Sequence, residues 1–243
     1  MWNAWLKRAV GKLRRHSIAG FHDVLGGVDH VRLATRHRTL VPDRLEQCAI
    51  ADMLRPVYSE YVKMVSTPEM AVSLETAAYL YYLCMVRKPA RALDLGSGFS
   101  SYVFRRYASE ASHPMHVTSV DDDAEWLART QRFVQRHRVQ GANFELWNHF
   151  STDEPAEYDL VFHDLASGEL RERAMSVAVA RVSHGGSIVF DDAHHAGHRA
   201  RMFAECKMRD LRVFRLRRLT LDSAGRWAVL GLRGPREMSA PRD

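Results

Sequence analysis

Apolar and polar positions change their period along this chain, and the changes mark its elements. From Pro42 the apolar residues Leu45, Cys48, Ala49, Met53, Leu54, Val57, Tyr58, Tyr61 and Val62 recur at helical spacing, and Asp43 is placed to cap that stripe. Thr67, Pro68 and Glu69 then supply an N-cap, a proline at the first helical position and an acid in the first turn. The spacing predicts a second helix from there through Ala77, Leu80, Tyr81 and Cys84, stopped by Lys88 and Pro89.

After Pro89 the pattern shortens to brief apolar runs separated by helices. Ala92 to Leu95 reads as a strand running into Gly96-Ser97-Gly98, with a helix from about Ser100 to Tyr107. Val117 to Val120 is a second strand ending in Asp121, followed by a helix that carries Trp126, Leu127, Thr130, Phe133 and Val134. Asn143 to Trp147 is a weak third strand and Tyr158 to Phe162 a clearer fourth, with a helix from about Ser167 to Val182 behind it. Gly185-Gly186 leads into a fifth strand, Ser187 to Phe190, which ends in Asp191-Asp192, and a helix covers about Ala196 to Met208. Leu211 to Leu219 and Trp227 to Leu232 flank the turn Asp222 to Gly225, so an antiparallel hairpin is predicted there. Strands alternating with helices imply an α/β fold with a mostly parallel sheet covered on both faces. In such sheets ligands bind beyond the carboxyl ends of the strands, near the switch in strand order.

These changes divide the chain into a basic extension (1–41), a helical preface (42–88), an α/β body (89–233) and a tail (234–243). Hydrophobic residues are 46% and charged residues 26%, a balance that supports a packed core and excludes a disordered chain. No apolar run approaches the roughly 18 residues of a membrane-spanning helix. The start, MWNAWLKRAVGKLRRH, spreads its charges instead of placing a basic tip before an apolar block, so no secretory leader is expected. Cys48, Cys84 and Cys206 are odd in number and widely spaced, which reads as reduced thiols in a cytoplasmic protein.

The net charge is +6, but residues 1–40 hold eight basic residues against two acidic ones, and the remainder is balanced at 27 against 27. The excess therefore belongs to the extension and is not the mark of a nucleic-acid-binding domain. Trp2, Trp5, Leu6, Val10 and Leu13 among those basic residues form a candidate amphipathic helix. Packing on the body or on a second subunit, as in a homodimer, is favoured for it over an acidic membrane surface.

Three clusters carry chemistry. In Asp94-Leu95-Gly96-Ser97-Gly98-Phe99-Ser100-Ser101 the glycines allow a tight turn and close approach of a ligand, and the helix behind presents free N–H groups. The third glycine of a dinucleotide-binding turn is missing, and so is the lysine of a P-loop. Asp121, about one strand further on, is placed to accept hydrogen bonds from the two hydroxyls of a ribose, while Asp122 and Asp123 suit N-capping of the next helix.

The order of LDLGSGFSS, SVDDDAEWL, YDLVFHD, GGSIVFDD and a terminal hairpin resembles the class I S-adenosylmethionine-dependent methyltransferases, over roughly residues 68–232. The resemblance implies a Rossmann-like, doubly wound, seven-stranded sheet with S-adenosylmethionine as cofactor. By the same resemblance Gly96, Ser97, Gly98 and Ser101 lie along the methionine part of the cofactor, Asp94 neighbours its amino group and Asp121 holds its ribose. Trp147 and Asn148 stand where the adenine is bound, as a stacking ring and an amide contact.

The third cluster is Asp164, Asp191 and Asp192, at the ends of the fourth and fifth strands. Three carboxylates in one cleft repel unless a cation is present, and an oxygen-liganded Mg²⁺ suits such a set. A metal chelated by two vicinal substrate hydroxyls would activate one of them for methyl transfer. The arrangement is similar to metal-dependent O-methyltransferases of the catechol and antibiotic-sugar types, with Asp164, Asp191 and Asp192 at the matching positions. The lysine base of the catechol type is replaced by Ser167, which disfavours a catechol. His163, His194, His195 and Asp164 remain as candidate bases, with His194 and His195 preferred because they follow the aspartates and imidazole accepts a proton near neutral pH. Zinc on His194 and His198 has little support, and His163 reads better as a packed strand residue.

The sequence thus predicts Mg-assisted O-methylation of a small molecule such as a sugar or glycosylated metabolite. Metal-independent methylation of nitrogen or RNA is the alternative enzyme. A non-catalytic cofactor-binding partner protein is the alternative outside catalysis.

Overall fold

The computed structural model describes residues 20–139, 141, 143–150, 157–165 and 168–236. Trp2, Trp5, Leu6, Val10 and Leu13 of the extension, Ser167 and the last seven residues of the tail lie outside that set.

The helical preface begins as its pattern implies. Helix α2 (Arg44–Met64) starts at a capping box in which the Asp43 carboxylate accepts from the Glu46 N–H at 2.8 Å and the Glu46 side chain accepts from the Asp43 N–H at 3.0 Å. The next helix departs from expectation. Residues 67–70 form a turn, and α3 (Leu74–Arg87) starts only after Ser73, whose Oγ accepts from the Thr76 N–H at 3.1 Å. The cause is distant in sequence: Arg226 donates to the carbonyls of Pro68, Glu69 and Ala71 at 2.9–3.0 Å. Those oxygens would otherwise be the acceptors of a first helical turn.

The body is a seven-stranded sheet in the order β3-β2-β1-β4-β5-β7-β6. Its strands are β1 (Arg91–Leu95), β2 (His116–Asp121), β3 (Phe144–Leu146), β4 (Tyr158–His163), β5 (Val182–Phe190), β6 (Arg212–Arg215) and β7 (Val229–Leu232). The pairings from β3 across to β5 are parallel, and β7 runs antiparallel to both β5 and β6. The strand order reverses between β1 and β4, so the cleft above that pair is the place for a ligand.

Period-two burial sends alternate strand residues into two cores. Ala92, Leu160, Phe162 and Val189 face α2, α3 and α4 (Phe99–Glu110), together with Phe133 and Val134 of α5 (Ala124–Arg136). Leu93, Val161, Ile188 and Phe190 face α6 (Gly168–Ala180) and α7 (Ala196–Met208). Cys48, Cys84 and Cys206 are all free thiols.

The predicted final hairpin is antiparallel, but its first strand is shorter than the pattern implied. β6 ends at Arg215 and a single helical turn, α8 (Arg217–Thr220), carries the chain inward. Thr220 Oγ1 accepts from the Ala228 N–H at 2.9 Å, which closes the connection.

A helix over residues 20–36, α1, lies against this end of the sheet. Leu33 and Asp29 are buried, and the Asp29 carboxylate accepts from the Arg215 backbone at 3.2 Å and its guanidinium at 2.7 Å. Phe21, Val24, Val28 and Val31 form an exposed apolar stripe on its outer side. Among the described residues no helix is long and apolar enough to cross a membrane.

Candidate active site

A cavity of about 550 Å³ opens above the carboxyl ends of the central strands, within the size range of small-molecule sites. Gly96, Ser97, Gly98, Asp121, Asp122 and Asp123 line one end; Asp164, Arg171, Asp191, Asp192 and Arg226 line the other. Tyr61 of α2 and the 69–72 segment complete the wall from the helical preface.

The first end is built from the glycine turn. Gly96 has φ +98°, and a Cβ there would stand 2.5 Å from the backbone carbon of Asp164. Only glycine lets the turn after β1 pass so close to the end of β4. Asp121, at the end of β2, accepts from the Ser97 N–H at 2.7 Å, the Ser97 hydroxyl at 2.9 Å and the Asp123 N–H at 3.1 Å. Burial raises its pKa, and the bonds from Asp123 and Ser97 oppose that rise. A carboxylate has about four lone-pair directions and three are taken, so Oδ1 can still accept from one hydroxyl in the cavity. Asp123 caps α5, its carboxylate accepting from the N–H groups of Glu125 and Trp126. Trp126 Nε1 donates to the Ser97 carbonyl at 2.6 Å and its side chain joins the cavity wall.

Two residues expected beside the cofactor lie beneath the turn instead. Asp94 is fully buried and accepts from the hydroxyls of Ser100, Ser101 and Ser119. Neither Asp94 nor Ser101 lines the cavity. Arg105, also buried, donates to Ser119 Oγ at 2.7 Å and to the carbonyls of Gly141 and Asn143 at 3.0 Å, tying α4 to the edge strands. Burial lifts Asp94 to about 6 against the pull of the three hydroxyls and Arg105. Asp94 and Ser101 therefore shape the turn from below. Asn148 is exposed, and Trp147 packs on Phe150 with ring centroids 6.2 Å apart; neither lines the cavity.

The second end gathers all three predicted carboxylates, with a partner the sequence reading did not include. Arg171 of α6 reaches back so that one terminal nitrogen lies 2.8 Å from Asp164 and 3.2 Å from Asp192. It sits in the first turn of α6, seven residues after Asp164 in the chain. Asp191 is 4% exposed, and its Oδ1 has no hydrogen-bond partner among the described residues. Burial and then the charge of Asp192 raise it to about 6; burial and then Asp191 raise Asp164 well above the usual carboxylate range. Asp192 is held at φ +58°, a left-handed conformation uncommon for a non-glycine residue.

The preferred bases stand just behind the acids: His194 Nδ1 lies 3.6 Å from Asp192 Oδ1, and His194 and His195, rings tilted with centroids 3.9 Å apart, are not among the residues that line the cavity. His163 is fully buried in β4 and pushed down to about 3 by burial and by Arg171. Arg226 donates to Asp222 at 2.7 Å as well as to the three carbonyls of the 68–71 segment. It holds that wall closed over the cavity, a contact across more than 150 residues that no local pattern announces.

These residues fit S-adenosylmethionine: a glycine cradle that a Cβ would fill, a helix N-terminus behind it and a ribose-facing carboxylate at the next strand end. They do not fit the expected Mg²⁺. A guanidinium nitrogen already stands between Asp164 and Asp192, where a metal would need their oxygens at about 2.0–2.1 Å. Among the described residues the cluster whose candidate ligand atoms lie within 4.8 Å of one another is Asp192, His194 and His195, not the three aspartates.

The architecture has counterparts among solved structures. The O-methyltransferase TomG from Streptomyces achromogenes, involved in tomaymycin synthesis and solved with S-adenosylmethionine, has a TM-score of 0.54 at 15% identity, over 87% of this chain and 98% of its own. An O-methyltransferase from Bacillus cereus in complex with S-adenosylhomocysteine has a TM-score of 0.54 at 12% identity, over 87% and 99%. A precorrin-6y C5,15-methyltransferase from Geobacter metallireducens has a TM-score of 0.55 at 12% identity, over 68% and 91%. No family model matches the sequence, and no curated protein matches it. The fold is that of the class I S-adenosylmethionine-dependent methyltransferases. Two of these neighbours are named for oxygen and one for C5,15, so the fold leaves the acceptor open.

Proposed function

We propose that this chain binds S-adenosylmethionine and transfers its methyl group to a hydroxyl of a small molecule. The observation that carries the reading is one cavity with a glycine cradle and Asp121 at one end and the carboxylates of Asp164, Asp191 and Asp192 at the other. When bound, the cofactor supplies an electrophilic methyl on a positively charged sulfur.

The chain's part is to bind, orient and accept a proton. Ser97 and Asp123 fix the Asp121 carboxylate for the ribose hydroxyls, and Trp126 braces the turn through the Ser97 carbonyl. Tyr61 and the 69–72 segment wall the cavity on the side opposite the sheet. A carboxylate of the Asp164, Asp191 and Asp192 set accepts the hydrogen bond of the acceptor hydroxyl, orients its oxygen toward the methyl end and takes its proton as the bond to carbon forms. The acceptor is a small hydroxylated molecule because the cavity is of small-molecule size and its far wall carries three aspartates beside two arginines rather than a basic groove, which disfavours RNA. Magnesium has no part in this reading, since Arg171 stands among its ligands.

Calorimetry with S-adenosylmethionine tests the cofactor. The unaltered protein is expected to give a saturable heat that Asp121→Ala weakens at least tenfold. Equal heats for both, or none for either, would overturn the reading.

A further inference from the structure

We propose that Arg171 is the resident cation of this site and that the protein works without a divalent metal among Asp164, Asp191 and Asp192. The inference rests on the methyltransferase reading for its meaning, but it concerns this chain's own residues. A guanidinium has a fixed planar fork, does not deprotonate in proteins and is more weakly hydrated than a metal ion, so it is well suited to a buried seat between carboxylates. Arg171 has that seat: its side chain is 7% exposed and it bridges Asp164 and Asp192. The charge balance that three crowded aspartates would ask of Mg²⁺ is supplied by Arg171, with Arg226 lining the same wall.

The bridge also divides the work among the carboxylates. Asp164 and Asp192 each give an oxygen to Arg171, while Asp191 lines the same wall with its Oδ1 buried and without a hydrogen-bond partner among the described residues. A metal site binds its substrate by chelation and therefore selects two adjacent hydroxyls. An arginine that already spans two of the three acids offers no open coordination positions, so the acceptor is held without chelation. The substrate class follows: compounds presenting a single accessible hydroxyl, with no need for a vicinal diol. Arg171 acts here as a positioning residue, not a catalytic one.

Electron paramagnetic resonance with Mn²⁺, a Mg²⁺ surrogate, tests this without an activity assay. Mn²⁺ is titrated into the full chain, Asp191→Asn, Arg171→Ala and Arg171→Lys, with S-adenosylmethionine calorimetry as the check on folding. The unaltered protein is expected to show no Mn²⁺ binding that Asp191→Asn removes. Arg171→Ala, with the guanidinium gone, is expected to gain Asp191-dependent binding at least tenfold tighter, and Arg171→Lys, which keeps the charge, is expected to exclude Mn²⁺ still. Mn²⁺ that persists in Asp191→Asn belongs to another site, such as Asp192 with His194 and His195, and leaves the expected pattern intact. Asp191-dependent Mn²⁺ in the unaltered protein would overturn the proposal, as would its absence from an Arg171→Ala protein that still binds cofactor. If the cofactor heat fails in every protein including the unaltered one, the methyltransferase reading falls, and the Mn²⁺ signals still decide the seat of Arg171.

Discussion

The two ends of the cavity are built by different means. At the cofactor end the turn after β1, the carboxylate ending β2 and the cap of α5 are bound to one another by backbone N–H groups and short side chains within about thirty residues. At the acceptor end, Asp164 and Asp191 come from neighbouring strands, Arg171 folds back from a helix, and Arg226 reaches across from the last connection to the 68–71 segment. One end is a local motif and the other a set of ion pairs that exists only in the folded chain. The first holds its geometry through the strand register; the second depends on long side chains being desolvated together, where loss of one partner strands a charge.

The largest way to break this division is at the point where the two ends meet. Gly96→Ala would drive a Cβ into the Asp164 backbone and force a positive φ on an L-residue. A loss of about 3 kcal/mol or more is expected, seen as a collapse of the thermal midpoint together with the loss of cofactor heat. Retained binding at an unchanged midpoint would mean that the two loops are not in contact.

Asp94 tests whether the cofactor end is held from beneath. Its folded pKa of about 6 lies above the ordinary value of 3.8, so the folded state holds its proton more tightly than the unfolded chain. Its contribution to stability is therefore fully present below about pH 3.8 and is lost as the pH rises through about 6, by about 3 kcal/mol. The cost of Asp94→Asn, measured by urea unfolding at pH 4 and pH 7.5, should be smaller at pH 7.5 by about that amount. A cost independent of pH would place Asp94 outside the buried network of serines.

Smaller effects sharpen the contrast. Trp126→Phe removes a single hydrogen bond to the Ser97 carbonyl and should cost about 1 kcal/mol of stability and several-fold in cofactor affinity, while the Mn²⁺ behaviour of the acceptor end stays as it is. His194→Ala and His195→Ala should leave the methyl-transfer rate within about threefold, because both rings lie outside the cavity. A hundredfold loss in either, the scale of general-base catalysis, would return the base to α7.

Much of the fold was legible before any coordinates. The strands, the helices behind them and the split into two cores follow from period-two and helical spacing; β1 to β4 fall at the predicted segments, while β5 ends where expected but starts five residues early, at Val182, running through Gly185 and Gly186. Asp121 and Asp123 could be assigned by position, since a strand end and a helix start fix which way a short side chain can reach. The start of α3 was misplaced for an equally physical reason. Thr67-Pro68-Glu69 has the chemistry of a helix start, but Arg226 takes its carbonyls from a position more than 150 residues away. Likewise the run Asp191 to His195 suggested imidazoles next to carboxylates, and His194 does approach Asp192 at 3.6 Å, but past the left-handed Asp192 neither His194 nor His195 is among the residues that line the cavity.

The sequence by itself determined the class of fold, the glycine turn and the gathering of three carboxylates at two strand ends, because each follows from periodicity or from the covalent distance between a strand and the next helix. Only the tertiary structure decided that Asp94 is buried beneath the turn, that Asp191 Oδ1 is buried without a hydrogen-bond partner among the described residues, and that the cation between the acids is Arg171. Long side chains choose partners by desolvation and packing in three dimensions, and a one-dimensional pattern records which face a residue occupies, not which charge it will meet there.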